Sequence, residues 1–213
     1  AKDDPPPMAD GHFAYLMQFM DGNRIDLTLW PLAKLDGFHR ESLSLMLLDK
    51  DRLFEGLPPP SDSDFLASPP SAKAFADCCN EFWWVTTYVA KGLWREEIVY
   101  AKYMLDGPVR EQVLKMLEWR IALQTNVTRS IGKHGTRLRQ RLAPEYWALL
   151  ERTYADAGYG ATWDALDVMC ELFRRAANDV ARHFGFHYPV ADDRRVSAHL
   201  RRVRALPPAA TDY

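Results

Sequence analysis

The chain has 213 residues, 47% hydrophobic and 26% charged, with 27 Lys and Arg against 29 Asp and Glu for a formal net charge of −2. That is ordinary globular composition, enough for one large domain or two small ones, and it supplies no global field for nucleic acid or an anionic membrane. No apolar run approaches the roughly 18 residues of a membrane span, and the first residues are polar and proline-rich, unlike a signal peptide, so a cytoplasmic protein is expected.

The chain opens Ala-Lys-Asp-Asp-Pro-Pro-Pro and enters a strand almost at once, so it reads as the tail of something longer. Two apolar runs, Phe13 to Met20 and Ile25 to Trp30, flank Asp21-Gly22-Asn23, the turn chemistry of a β-hairpin. In the second run Ile25, Leu27 and Leu29 alternate with Arg24, Asp26 and Thr28, which puts Asp26 on the polar face. A lone strand carboxylate there is either one member of a metal-binding set or a solvated acid paired with Arg24 or a cross-strand neighbour. A short helical turn near Pro31 to Asp36 and a third strand from Ser42 to Leu48 complete an α/β piece over residues 1–57. A sheet this small is marginal alone. Residues 58–71 hold five prolines and no periodicity, as a linker does.

Beyond the linker the period becomes helical. Ser71 caps a helix over about 72–92, and Gly92 interrupts or bends it before Leu93 to Leu105 continues to a stop at Asp106-Gly107-Pro108. Pro108 suits the first turn of the next helix, whose apolar face is Val109, Val113, Met116, Leu117 and Ile121. Further helices are expected at about 134–142, 144–156, 161–184 and 191–204. Residues 72–206 thus read as an all-helical bundle, with a tail at 207–213.

On the first long helix Asp77, Glu81, Trp84, Tyr88, Lys91 and Arg95 recur three or four apart, on one stripe, while Phe75, Phe82, Val85 and Val89 supply the packed face. A cleft can use such aromatics to stack a ligand while the carboxylates bind its cationic groups; alternatively, Trp84 and Tyr88 pack under a loop. Trp83 is assigned to the core. Arg129, Lys133, Arg137 and Arg141 fall four apart in a stretch without acids, and Gly132-Lys133 at a helix start would suit phosphate, although a plain basic surface explains it too. The terminal arginines Arg194, Arg195, Arg201, Arg202 and Arg204 read as a solvated helix face. The histidines are scattered, with no metalloprotease or nucleophile-elbow pattern, and Cys78, Cys79 and Cys170 lack zinc-ligand spacing.

At Asp21-Gly-Asn-Arg-Ile-Asp-Leu-Thr-Leu29, Asp77-Cys-Cys-Asn-Glu-Phe-Trp-Trp-Val85 and Tyr88-Val-Ala-Lys-Gly-Leu-Trp-Arg95 the chain resembles the aminoglycoside 6-adenylyltransferase (streptomycin adenylyltransferase) family. The likeness runs from about residue 12 to 190 and includes Ser130-Ile-Gly-Lys133 and Glu171-Leu-Phe-Arg174. It implies an α+β fold, a partial nucleotidyltransferase-type sheet (the hairpin plus a further strand) followed by an all-helical bundle. It also implies transfer of AMP from Mg-ATP to a streptomycin hydroxyl, with Mg2+ and ATP in the cleft between the domains. Asp26 matches a family carboxylate and is carried over as metal ligand and candidate base. Asp77, Glu81, Trp84, Tyr88 and Lys91 become candidates for aminoglycoside contact, and Lys133 for the ATP phosphates, although a second family lysine is replaced by Thr136. The family's Gly-Ser and Asp-x-Asp motifs lie upstream of the hairpin. Asp3 and Asp4, as strand neighbours, would point to opposite faces and could not share one metal. The resemblance therefore implies an enzyme with one of three metal carboxylates present, and little or no activity in this chain alone. The competing readings are a non-catalytic aminoglycoside-binding or partner-dependent module, and a helical ribonuclease or RNA-binding toxin built on Arg129 and His134. Nucleic acid is otherwise not expected as a partner, nor is a membrane.

Overall fold

A computed structural model describes residues 11–37, 40–66, 68–125, 130–207 and 210. The chain divides into two compact units, Ala1–Ser61 and Asp62–Tyr213, and the division falls inside the proline-rich stretch.

In the first unit β1 (Phe13–Gln18) and β2 (Arg24–Leu29) form an antiparallel hairpin. The register pairs Phe13 with Leu29, Tyr15 with Leu27 and Met17 with Ile25, which gathers the apolar side chains on one face. The turn is fixed by Asp21, whose carboxylate accepts from the Asn23 backbone N–H at 3.0 Å and from the Asn23 side chain at 2.9 Å, while Gly22 supplies φ +88°. Those hydrogen bonds, the backbone one foremost, hold the Asp21 carboxyl below its ordinary range. A 3₁₀ turn, Leu32–Gly37, follows.

The expected third strand does not form: Ser42 to Leu48 makes no ladder with β1 or β2 among the described residues. Single bonds such as Ser61 N–H to the Ser42 carbonyl, 2.8 Å, tie it down, and Leu47 and Leu48 stay exposed. An apolar run becomes a strand only where a neighbouring edge takes its backbone groups.

The second unit is helical: α1 (Ala72–Trp94), α2 (Ile98–Met104), α3 (Arg110–Thr125), α4 (Leu138–Arg141), α5 (Pro144–Arg152), α6 (Tyr159–Phe184) and α7 (Val190–Arg204). Together with the hairpin this is the α+β class that the sequence implied. Ser71 caps α1, its hydroxyl accepting from Ala74 N–H at 3.1 Å. The core runs between α1, α3 and α6, with Phe82 stacked on Phe173 at a centroid distance of 3.8 Å and Trp83 edge-on to the same ring. Val109, Val113, Met116, Leu117 and Ile121 are all buried, as their spacing requires.

Four helix boundaries differ from the sequence expectation. Helix α1 runs straight through Gly92 and ends at Trp94, where Glu96 adopts φ +59° and Glu97 N–H returns to the Gly92 carbonyl. Gly92 is there for space: a Cβ would sit 2.9 Å from Tyr100 Cδ1 and 3.1 Å from the Ala101 nitrogen. Asp106-Gly107-Pro108 is no stop, because a π turn over Leu105–Val109 carries α2 into α3. The wider turn admits Pro108, which has no N–H to give, and Arg110 bonds back to Asp106 at 2.7 Å across it. The helix expected over 134–142 shrinks to a tight turn at Lys133–Gly135 and the four-residue α4, since Gly132, His134 and Gly135 all have positive φ. Finally, α5 stops at Arg152 because buried Arg110 captures Thr153 through its hydroxyl, 2.8 Å, and its carbonyl, 3.1 Å.

Helix α7 is pinned to α6 by a buried carboxylate. Asp193 accepts from Arg174 Nε and Nη2 at 2.6 and 2.7 Å, from Tyr188 Oη at 2.8 Å and from Ser197 Oγ at 3.0 Å. Burial alone would raise the Asp193 carboxyl, but the hydrogen bonds from Arg174, Tyr188 and Ser197 outweigh it and hold the group below its ordinary value.

Two outcomes follow from this packing. Gly92→Ala lowers unfolding stability by about 1–3 kcal/mol in urea melts, because the added methyl overpacks the α1–α2 contact. A depressed folded-state carboxyl stabilises the protein above the unfolded aspartate value and loses that contribution as pH falls through the folded value. The urea midpoint therefore falls as pH drops below the ordinary aspartate range, and Asp193→Asn lowers it at neutral pH while flattening that acid limb.

Candidate functional site

Burying Phe75, Phe82, Val85 and Val89 fixes the rotation of α1, and the opposite stripe is thereby turned outward. Trp84 is 60% exposed, against 2% for its neighbour Trp83. Its indole does not hang free: Nε1 donates to Tyr88 Oη at 2.6 Å, with the rings edge to face at 6.0 Å and 76°. Half-buried Tyr88 therefore acts as a stay that keeps an indole face toward solvent.

The two acids lie one and two turns before Trp84. Asp77 is exposed and paired with Lys73 at 2.6 Å, one turn back. Glu81 is exposed and has no ion-pair partner among the described residues. Lys91, half-buried, and exposed Arg95 continue the row toward the end of α1. The structure thus brings Asp77, Glu81, Trp84, Tyr88 and Lys91 together as one outward ridge of a single helix. It offers a flat aromatic surface with carboxylates beside it, suited to a planar or polyvalent cation.

Beside the ridge lies a cavity of about 590 Å³ between α1, the start of α7 and the segment joining α6 to α7. Trp84 stands at its wall with Phe75, Trp83 and Phe186, and Asn80 and Thr87 add polar groups. Cys79 also borders it, but burial pushes its thiol far up, as it pushes Cys78 and Cys170 up to about 12, so none is a nucleophile near neutral pH.

The remaining candidates lie on other elements. Lys133 sits exposed in the tight turn at Lys133–Gly135, not at the start of a long helix. Arg129, the first of the four spaced cations, lies outside the described residues, and with it the Arg129–His134 pairing. Asp26 belongs to the first unit, exposed on β2, and both of its oxygens accept from Arg24, Oδ1 from Nε and Oδ2 from Nη2, each at 2.9 Å. That bond is the foremost cause raising the Arg24 guanidinium above its ordinary value.

A magnesium site needs converging oxygen ligands. Among the described residues no group of three or more His, Cys, Asp or Glu side chains could hold a metal ion, and the one carboxylate carried over is engaged by a guanidinium. The described residues do not by themselves fit the ion.

A sequence profile for streptomycin adenylyltransferase matches residues 2–203. The chain belongs to this family. The family is one of nucleotidyltransferase enzymes. The chain is 37% identical over 199 residues to the aminoglycoside 6-adenylyltransferase of Campylobacter jejuni, spanning 93% of this chain and 69% of that protein. To the enzyme of the same name from Bacillus subtilis (strain 168) it is 37% identical over 190 residues, 88% of this chain and 67% of that one. A crystal structure of an aminoglycoside 6-adenyltransferase from Bacillus subtilis superposes with a TM-score of 0.63 at 33% identity, covering 95% of this chain and 74% of the other.

Sequence reasoning missed Lys73 as the partner of Asp77, although the four-residue spacing was there to read. It also missed Asn80 and Thr87, which gain meaning only from a cavity whose other wall comes from Phe186 to Val196, far along the chain. Tyr88→Phe removes the stay on the indole, so the fluorescence of Trp84 is expected to become more accessible to a soluble quencher, with the melting temperature nearly unchanged.

Proposed function

We propose that the chain serves aminoglycoside adenylyl transfer, AMP passing from Mg-ATP to a hydroxyl of a streptomycin-type antibiotic with release of pyrophosphate. The observation that carries this reading is the stayed Trp84 face beside Asp77 and Glu81, in a chain of the streptomycin adenylyltransferase family.

A guanidinium group of the antibiotic would lie against the Trp84 face, with Glu81 and Asp77 accepting its N–H hydrogen bonds. Glu81 is ready to do so. Asp77 exchanges Lys73 for the ligand, at little cost because both partners are exposed and surface pairs contribute little. Lys91, further along the ridge, is assigned to hydroxyl oxygens of the same ligand, and Lys133 to the phosphates of ATP.

In the transfer the hydroxyl oxygen bonds to the α-phosphorus while the bond to pyrophosphate breaks, and the hydroxyl proton passes to a carboxylate. Asp26 is the residue assigned to that carboxylate set. To take a proton it must first part from Arg24, and among the described residues it belongs to no group of three or more His, Cys, Asp or Glu side chains that could hold a metal ion. This favours a second statement: the 213-residue chain by itself binds the antibiotic and transfers little or no AMP.

Calorimetric titration with streptomycin is expected to give one-to-one binding, with and without Mg-ATP. Glu81→Ala and Trp84→Ala should each weaken it about tenfold, roughly 1.4 kcal/mol. Unchanged affinity in both variants would remove the ridge from the site. Robust AMP transfer to streptomycin by the purified chain would overturn the second statement while leaving the first.

A further inference from the structure

The arginines of α7 take no part in that reading, and they are not equivalent. Arg195 is paired with Asp192, and Arg204 bridges Asp164 and Asp167 at 2.6 Å each. Arg194 and Arg201, two turns apart on the same face, are exposed and have no ion-pair partner among the described residues. Both border a recess of about 450 Å³ between α6 and α7, together with Arg174, Asn178, Asp193 and Ser197.

The third guanidinium in this recess is held in place. Arg174 gives Nε and Nη2 to Asp193 and a further bond from Nη2 to Ser197 Oγ at 3.1 Å, which leaves Nη1 uncommitted among the described residues. Asp193 is the one carboxylate in the lining, and each of its oxygens already accepts two bonds. It neutralises Arg174 and has nothing left for Arg194 or Arg201. The recess therefore holds three guanidiniums against one saturated carboxylate, an excess of two positive charges in a chain whose net charge is −2.

We propose that this recess binds a small phosphate-bearing anion. Two uncompensated guanidiniums match a dianion, their forked N–H groups match tetrahedral phosphate oxygens, and the buried Asp193 brace pre-orients Arg174 so that little is lost in ordering it. The recess suits a compact ion. A nucleic-acid strand would need a longer basic track, which the acidic balance of the chain does not supply. This site is independent of the antibiotic ridge on α1 and stands or falls separately from it.

The test is calorimetric titration of the whole chain at constant ionic strength with inorganic phosphate, pyrophosphate and AMP, with acetate as a carboxylate control. Saturable one-to-one binding of at least one phosphate ligand is expected, weakened about tenfold in Arg194→Gln and in Arg201→Gln. Both positions are exposed, so unchanged melting temperatures show that the fold is intact. The order of the three ligands tells whether the free ion or an ester is preferred. Absence of saturable binding by all three, affinity unchanged in both variants, or equal competition by acetate overturns the proposal.

Discussion

The ridge proposed to meet the antibiotic depends on how α1 is seated. Phe82 lies flat against Phe173 of α6 with Trp83 edge-on beside it, and this aromatic contact is fully buried. A helix so fixed has no rotational freedom, because turning it by one residue would expose Phe82 and bury Glu81. Two adjacent tryptophans are thereby given opposite roles. Trp83 fills the interior, while Trp84 is held out by a single hydrogen bond to Tyr88. The exposed row on α1 follows from the buried one.

The polar interactions divide into braces and loose pairs, and the division is one of burial. Arg110 with Asp106 and Thr153, Arg120 with Asp179 and Tyr146, and Arg174 with Asp193 each lock one helix to another, with most polar atoms partnered. Removing one member of such a set leaves a desolvated charge behind. Arg24 with Asp26 and Lys73 with Asp77 are exposed and join only local neighbours. Pairs of that kind exchange readily with water or with a ligand. It is consistent that the two paired carboxylates proposed to meet substrate, Asp26 and Asp77, come from the loose class.

Much of the architecture was legible in the sequence, and the failures share a cause. The hairpin, the Ser71 cap and the apolar faces of α1 and α3 are local patterns, and local patterns survive folding. The third strand failed because an apolar run at Ser42 to Leu48 says nothing about whether an edge is available to pair with it. The stop at Pro108 failed because a π turn braced by Arg110 can absorb a proline in mid-helix. The long basic helix failed because three positive φ angles between Gly132 and Gly135 divide it, so the even spacing of its cations no longer places them on one face. The arginines of α7 looked uniform in sequence and proved to be of two kinds once their partners on α6 were in place.

The sequence by itself determined the class of the fold, the family and the identity of the stripe on α1, because residue type and spacing suffice for those. Tertiary structure decided which members of each stripe are free to act. Whether Trp84 is exposed or Arg201 unpaired depends on what sits within a few ångströms, and partners such as Tyr188 and Asp193 come near Arg174 only through the packing of α7 on α6. Chemistry is written in the side chains, but its availability is set by burial and by competing partners, and both are properties of the folded chain.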